Sequence, residues 1–144
     1  MDYKKFPEKK FNHILGSPFI YAMIFPFFIL DFFLEIYHQI CFRLYGLPLV
    51  NRANYILIDR HKLAYLEPID KVNCVYCGYA NGLLAYATEI AAQTEKYWCG
   101  IKHKENPGYI PPKHHDAFIQ YGDEEAFRSI SEQASEECKL NQVK

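Results

Sequence analysis

The sequence predicts a mainly α-helical protein with a small β element: an N-terminal membrane-associated helix followed by a small metal-clamped α+β domain. Three observations predict it. Ile14 to Leu30 contains no charged residue. Residues 82–98 carry apolar side chains at helical spacing. Cys74 and Cys77, then Cys99 and His103, have the CxxC and CxxxH spacing of a tetrahedral Cys₃His metal site.

The composition suits this plan. Half of the 144 residues are hydrophobic and 17% are aromatic. That supplies a packed core and argues against a disordered chain. The net charge is −1 and no basic stripe runs through the chain, so a nucleic-acid partner is not expected. Five cysteines are too few for a disulfide-dense scaffold, and the odd count leaves one unpaired, which points to a reducing compartment.

Residues 1–50 form the predicted membrane-associated segment. The charge-free run spans about 26 Å as a helix, close to the roughly 30 Å of a bilayer core. Lys4, Lys5, Lys9 and Lys10 precede it, and Arg43, Arg52, Arg60 and Lys62 follow it. Basic residues on both flanks give the positive-inside rule little to choose between. Pro26, in the middle of the run, offers a bend into a re-entrant hairpin, and a re-entrant or interfacial anchor is the alternative to a full span. A cleaved signal peptide fits less well, because no small-residue cleavage site follows the apolar run. Beyond it Glu35, His38, Gln39 and Arg43 interrupt the pattern, which becomes amphipathic and interfacial, with His38 placed to titrate at the membrane surface.

Residues 51–122 form the predicted metal-binding domain. Tyr55–Ile58 and Leu63–Leu66 read as two short strands around a polar turn, Asp59 to Lys62, ended by Pro68. Leu83, Tyr86, Ala87, Ile90, Thr94 and Tyr97 share one arc of a helix, with Asn81-Gly82 as its start. Glu105 to His115 contains Asn-Pro-Gly and Pro-Pro and reads as a loop. Residues 123–144 are the third division. Asp123 opens a helix with acidic residues in its first turn, and Phe127, Ile130, Ala134 and Cys138 form its apolar stripe, before a frayed end.

In the metal site, a CxxCG turn would aim two thiolates at one point, Cys99 and His103 would complete the tetrahedron, and zinc is the expected ion with iron as the alternative. One difficulty is geometric. A helix over 82–97 is about 24 Å long, so Cys99 closes on Cys77 only if the helix is shorter, kinks, or meets a second copy of the chain. The competing chemistry is a Cys74/Cys77 dithiol at a helix N-terminus, cycling between thiol and disulfide. Glu89 and Glu95 are six apart and read as solvated. His114-His115-Asp116 could supply ligands or a base, but adjacent histidines in a Pro-rich loop read first as exposed. Cys41 and Cys138 read as structural. No GxSxG, Walker A, GxGxxG or HExxH motif is present.

The run Asn73-Cys74-Val75-Tyr76-Cys77-Gly78-Tyr79-Ala80-Asn81-Gly82, with Glu89-Ile90-Ala91-Ala92 and Thr94-Glu95-Lys96-Tyr97-Trp98-Cys99-Gly100-Ile101-Lys102-His103, resembles a family of small, uncharacterised bacterial proteins that begin with an apolar segment. The likeness extends over Asp59-Arg60-His61 and Tyr121-Gly122-Asp123. Members usually carry Pro where this chain has Gly100, a change in a turn rather than in a ligand. The resemblance implies a bacterial, membrane-associated protein, and it implies no activity; the expected location is the bacterial inner membrane with the C-terminal domain facing the cytoplasm, as the cysteine usage suggests. The expected function is therefore a membrane-associated, zinc-binding module with a binding or scaffold role, whose partners are the lipid bilayer and a membrane protein or a second copy. A membrane-bound thiol-disulfide enzyme and an iron electron carrier are the alternatives.

Overall fold

The structure is a computed structural model, and it describes residues 6–142. Lys4 and Lys5 of the basic flank and the last two residues of the expected frayed end lie outside the described residues, as does the side chain of Cys138. The order of α-helices is α1 (Lys10–Ala22), α2 (Ile24–Tyr45), α3 (Pro68–Trp98) and α4 (Glu124–Gln142). The chain divides into two compact units, Met1–Ile90 and Ala91–Lys144. The division falls inside α3.

In the first unit α1 and α2 form one apolar rod, Lys10–Tyr45, of 36 residues. It is one helix long and apolar enough to cross a membrane, by length and composition. Pro18 and Pro26 lack the N–H that would bond the carbonyls of Ile14 and Ala22. The second gap coincides with Met23, where α1 gives way to α2. Met23 keeps a right-handed helical conformation, φ −63° and ψ −12°. The helix therefore carries on in its own direction, and the re-entrant bend expected at Pro26 does not form. Gly46 has φ 68° and stops α2. Glycine adopts this left-handed conformation without strain.

α3 runs beside this rod and parallel to it. The Tyr76 hydroxyl donates to the Ile20 carbonyl at 2.7 Å, Tyr79 donates to Asp31 at 2.8 Å, and Tyr86 donates to Glu35 at 3.1 Å. Parallel neighbours need a return path, and residues 47–67 provide it. That segment passes over α3 where two glycines lie one turn apart. A Cβ on Gly82 would sit 2.7 Å from the Tyr55 carbonyl oxygen, and one on Gly78 would sit 2.9 Å from the Leu57 carbonyl oxygen. Both glycines are there so that backbone can lie against helix.

This explains two departures from the sequence reading. Tyr55–Ile58 and Leu63–Leu66 do not pair: among the described residues there is no strand, and the one β-bridge is Ile101 with Ile119. The apolar run 55–58 instead spends its backbone on contact with α3, and short 3-10 turns at Arg52–Asn54 and Arg60–Lys62 flank it. The second departure is α3 itself. It begins at Pro68, several turns before the start expected at Gly82. Proline suits the first helical turn, where its missing N–H costs no bond. Asn81 does not cap a helix; its side-chain amide donates to the Cys77 carbonyl one turn back at 2.9 Å.

Phe42, Leu83, Tyr86 and Ile90 form the buried core, with Phe27, Leu34, Leu47, Val50 and Ile56 packed against it. Beside it lies a polar seam. Arg52 forms an ion pair with Asp31 and approaches Glu35 at 3.8 Å. The seam lets an apolar helix carry two carboxylates, because both face protein donors.

Asp123 opens α4 as expected, its carboxylate accepting the Ala126 N–H at 3.0 Å. Phe127 and Ile130 of its stripe are exposed.

Candidate metal centre

The second unit is built around the end of α3. Gly100, at φ 60°, stops the helix. The N–H groups of Cys99 and Gly100 both donate to the Glu95 carbonyl, at 2.8 and 3.2 Å. The Ile101–Ile119 bridge then ties the two ends of the following loop together: Lys102 N–H donates to Ile119 at 2.8 Å and Ile119 N–H donates to Gly100 at 2.9 Å. Within the closed loop Pro111 and Pro112 lead into a 3-10 helix, Lys113–Ala117, which carries His114 and His115. Phe118 ends it, buried, and its ring holds both imidazoles. His115 stacks on Phe118 with centroids 4.9 Å apart, and His114 meets it edge-on at 5.6 Å.

Both imidazoles turn Nε2 toward one carboxylate, that of Glu95 in the last turn of α3. His114 Nε2 lies 2.8 Å from Oε2, and His115 Nε2 lies 3.1 Å from each oxygen. The three donor atoms fall within 4.8 Å of one another. Ligand bonds of about 2.0–2.2 Å put neighbouring donors around a common cation roughly 3 Å apart, so these separations match a metal's first sphere as well as a hydrogen-bonded cluster. His115 is buried, at 2% exposure, and its Nδ1 has no hydrogen-bond partner. The hydrogen bond from His114, above all, and that from His115 hold the Glu95 carboxyl below its ordinary range, against the opposing effect of burial.

Two neutral imidazoles and one carboxylate around a divalent ion leave formal charge +1 and an open coordination position. A cavity of about 700 Å³ adjoins, lined by His115 together with Lys102, His103, Tyr109, Asp116 and Gln120.

The predicted ligands are placed differently. Cys74 and Cys77 do not sit in a turn. They are the seventh and tenth residues of α3, Cys74 half-buried and Cys77 exposed. They lie beyond the first turn of the helix and not at its N-terminus, where the dithiol reading places them. Cys99 is exposed, just after the end of α3. Cys77 and Trp98 belong to one uninterrupted helix. Of the three routes by which the thiols could meet, a helix shorter than its pattern is therefore absent. Among the described residues the His/Cys/Asp/Glu group close enough to hold an ion is Glu95, His114 and His115, and a domain clamped by metal through Cys74, Cys77, Cys99 and His103 is not supported. His103 alone lies near the histidine pair, its ring 5.7 Å from that of His115.

Glu95, His114 and His115 were legible as residue types but not as a set. Their signal is an adjacent histidine pair after Pro-Pro, well downstream of a carboxylate in the last turn of a helix.

No family model, curated protein or solved structure matches the chain.

Proposed function

We propose that this is a membrane-associated metal-binding protein in which Glu95, His114 and His115 hold a divalent transition metal. Zinc is the ion of choice, because imidazole and carboxylate donors with an open position suit it, and iron(II) fits the same donors. The observation that carries the reading is the convergence of two histidine Nε2 atoms on one carboxylate, with one imidazole buried and its second nitrogen unpartnered. Membrane association rests on the length and apolar surface of Lys10–Tyr45. The resemblance to small bacterial proteins, with the cysteine usage, makes the inner membrane, with the C-terminal part toward the cytoplasm, the compartment to examine first. The role is binding, and a sulfur site on Cys74, Cys77 and Cys99 is the competing assignment.

The test is elemental analysis of detergent-purified protein, followed by chelation and zinc titration. One equivalent is expected for the wild type and for the triple variant Cys74→Ser, Cys77→Ser, Cys99→Ser. Binding should fall at least a hundredfold in the double variant His114→Ala, His115→Ala. Metal retained by the histidine variant and lost from the serine variant would reverse the assignment.

A further inference from the structure

We infer that the first unit does not cross the bilayer but lies along it, with the α1–α2 rod in the plane of one leaflet. The inference rests on the membrane reading above and decides between its two geometries.

Length favours the plane: along the rod between Lys10 and Arg43 the charged residues are Asp31 and the part-exposed Glu35, both on the side of α3 and the return segment, and the rest of the exposed surface carries no charge. That stretch rises about 50 Å, whereas the hydrocarbon layer is about 30 Å thick. A perpendicular helix would leave about 20 Å of apolar face in water or headgroups. In the plane the whole length is used.

Arg52 pairs with Asp31, near the middle of that stretch, and Tyr79 reaches the same carboxylate. The Arg60 guanidinium lies 3.6 Å from where a Cβ of the neighbouring Gly78 would be. Asp59 and Arg60 are both exposed, as are Asn51 and Asn54. The return segment thus presents charge and amide groups at the level of the rod's midpoint. A perpendicular helix centred on its apolar band would carry them into hydrocarbon, where each charge is strongly disfavoured.

The rod is also two-sided. At about 100° per residue, Phe25, Ile29, Phe33, Ile36 and Ile40 fall on the arc opposite Asp31, Glu35 and His38. The latter three face α3 and the return segment. The unit therefore has an apolar layer and a polar layer, which is the pattern of an interfacial anchor. Exposed Lys9 and Lys10 stand at one end of the rod and Arg43 at the other. In the plane, all three would meet anionic headgroups of one leaflet. A span would send one end to the opposite side. The occupant of the apolar face is thus lipid acyl chain and not a second protein.

Depth-resolved quenching tests this. Phe11, Phe25 and Phe33 are 73%, 70% and 63% exposed on the same arc, so tryptophan is tolerated at each. Each Phe→Trp change is made singly in a Trp98→Phe background of the full chain. The protein is added to sealed phosphatidylcholine/phosphatidylglycerol vesicles whose acyl chains are brominated at different depths. The three tryptophans should report one shared, shallow depth. A span separates them by about 21 and about 12 Å of rise, so at most two share a depth and the profile is stepped. A stepped profile overturns the in-plane geometry and leaves membrane association standing. Absence of both quenching and co-sedimentation overturns the two together. Polarised infrared dichroism of the wild-type chain in aligned bilayers gives the same decision without substitution. α1–α2 and α3 run parallel, so their amide signals add, and they should lie in the plane. Helices along the normal overturn the inference.

Discussion

The Tyr86 hydroxyl lies 2.9 Å from Nδ1 of His38, and both side chains are buried. The neighbours decide which way each proton points. Val50 N–H donates to His38 Nε2 at 3.0 Å. Nε2 therefore carries no proton, and Nδ1 is the donor. Tyr86 accepts from it and donates onward to Glu35. A loop backbone, α2 and α3 are thereby joined in a single relay.

Replacing Tyr86 by Phe removes one oxygen from that relay and leaves the Nδ1–H of His38 without an acceptor. An unsatisfied buried donor costs about 1–3 kcal/mol. Urea denaturation should show that loss, with an unchanged dependence on denaturant. A variant as stable as the wild type would mean that the relay contributes nothing.

Gly82 and Gly16 form a matched pair. Both are helical, and alanine is favoured over glycine in a helix by about 1 kcal/mol. At Gly16 a Cβ meets nothing within 4 Å, so Gly16→Ala should be neutral or stabilising by up to that amount. At Gly82 it would press on the Tyr55 carbonyl and the Ile56 Cα at 2.7 and 2.9 Å, both of them backbone. Gly82→Ala should destabilise despite the gain in propensity, by about 1–3 kcal/mol as overpacking does. Thermal melts of the two variants should move in opposite directions.

That pair also shows why the sequence was only half legible. The charge-free run Ile14–Leu30 announced the apolar helix because charge is a local property, and Asp123 announced α4 because a cap is one too. The first half of α3 was hidden. Gly78, Asn81 and Gly82 read locally as a turn, and the two glycines are small because of a segment far away in sequence. The apolar run at 55–58 reads as a strand by composition, yet what it packs on is a helix. The donor set was hidden in the same way. His114 and His115 are adjacent, but the carboxylate that gives them a shared purpose reaches them only after the Ile101–Ile119 bridge closes the loop.

The thiols give a direct contrast with the Cys₃His reading. Cys77 and Cys99 are exposed, and neither lies in the Glu95 cluster. Both should react with a maleimide at the same rate in zinc-loaded and chelated protein, and zinc should stay bound after labelling. Protection of both by zinc, released on chelation, would restore a sulfur site.

Acid should separate Glu95 from its neighbours in the metal-free protein. Its carboxyl is held below the ordinary value of 4.5, first by the hydrogen bond to His114 and then by that to His115. A carboxylate with a depressed folded-state pKa adds stability that is fully present above the unfolded value and is lost as pH falls through the folded one. The stability difference between wild type and Glu95→Gln should therefore persist from pH 7 down to about 5, then shrink steadily at more acid pH. Denaturation of chelated protein at pH 7, 5, 4 and 3 measures it. A difference that vanishes already between pH 7 and 5, or one that persists unchanged at pH 3, would show that the carboxylate is not what the two imidazoles hold.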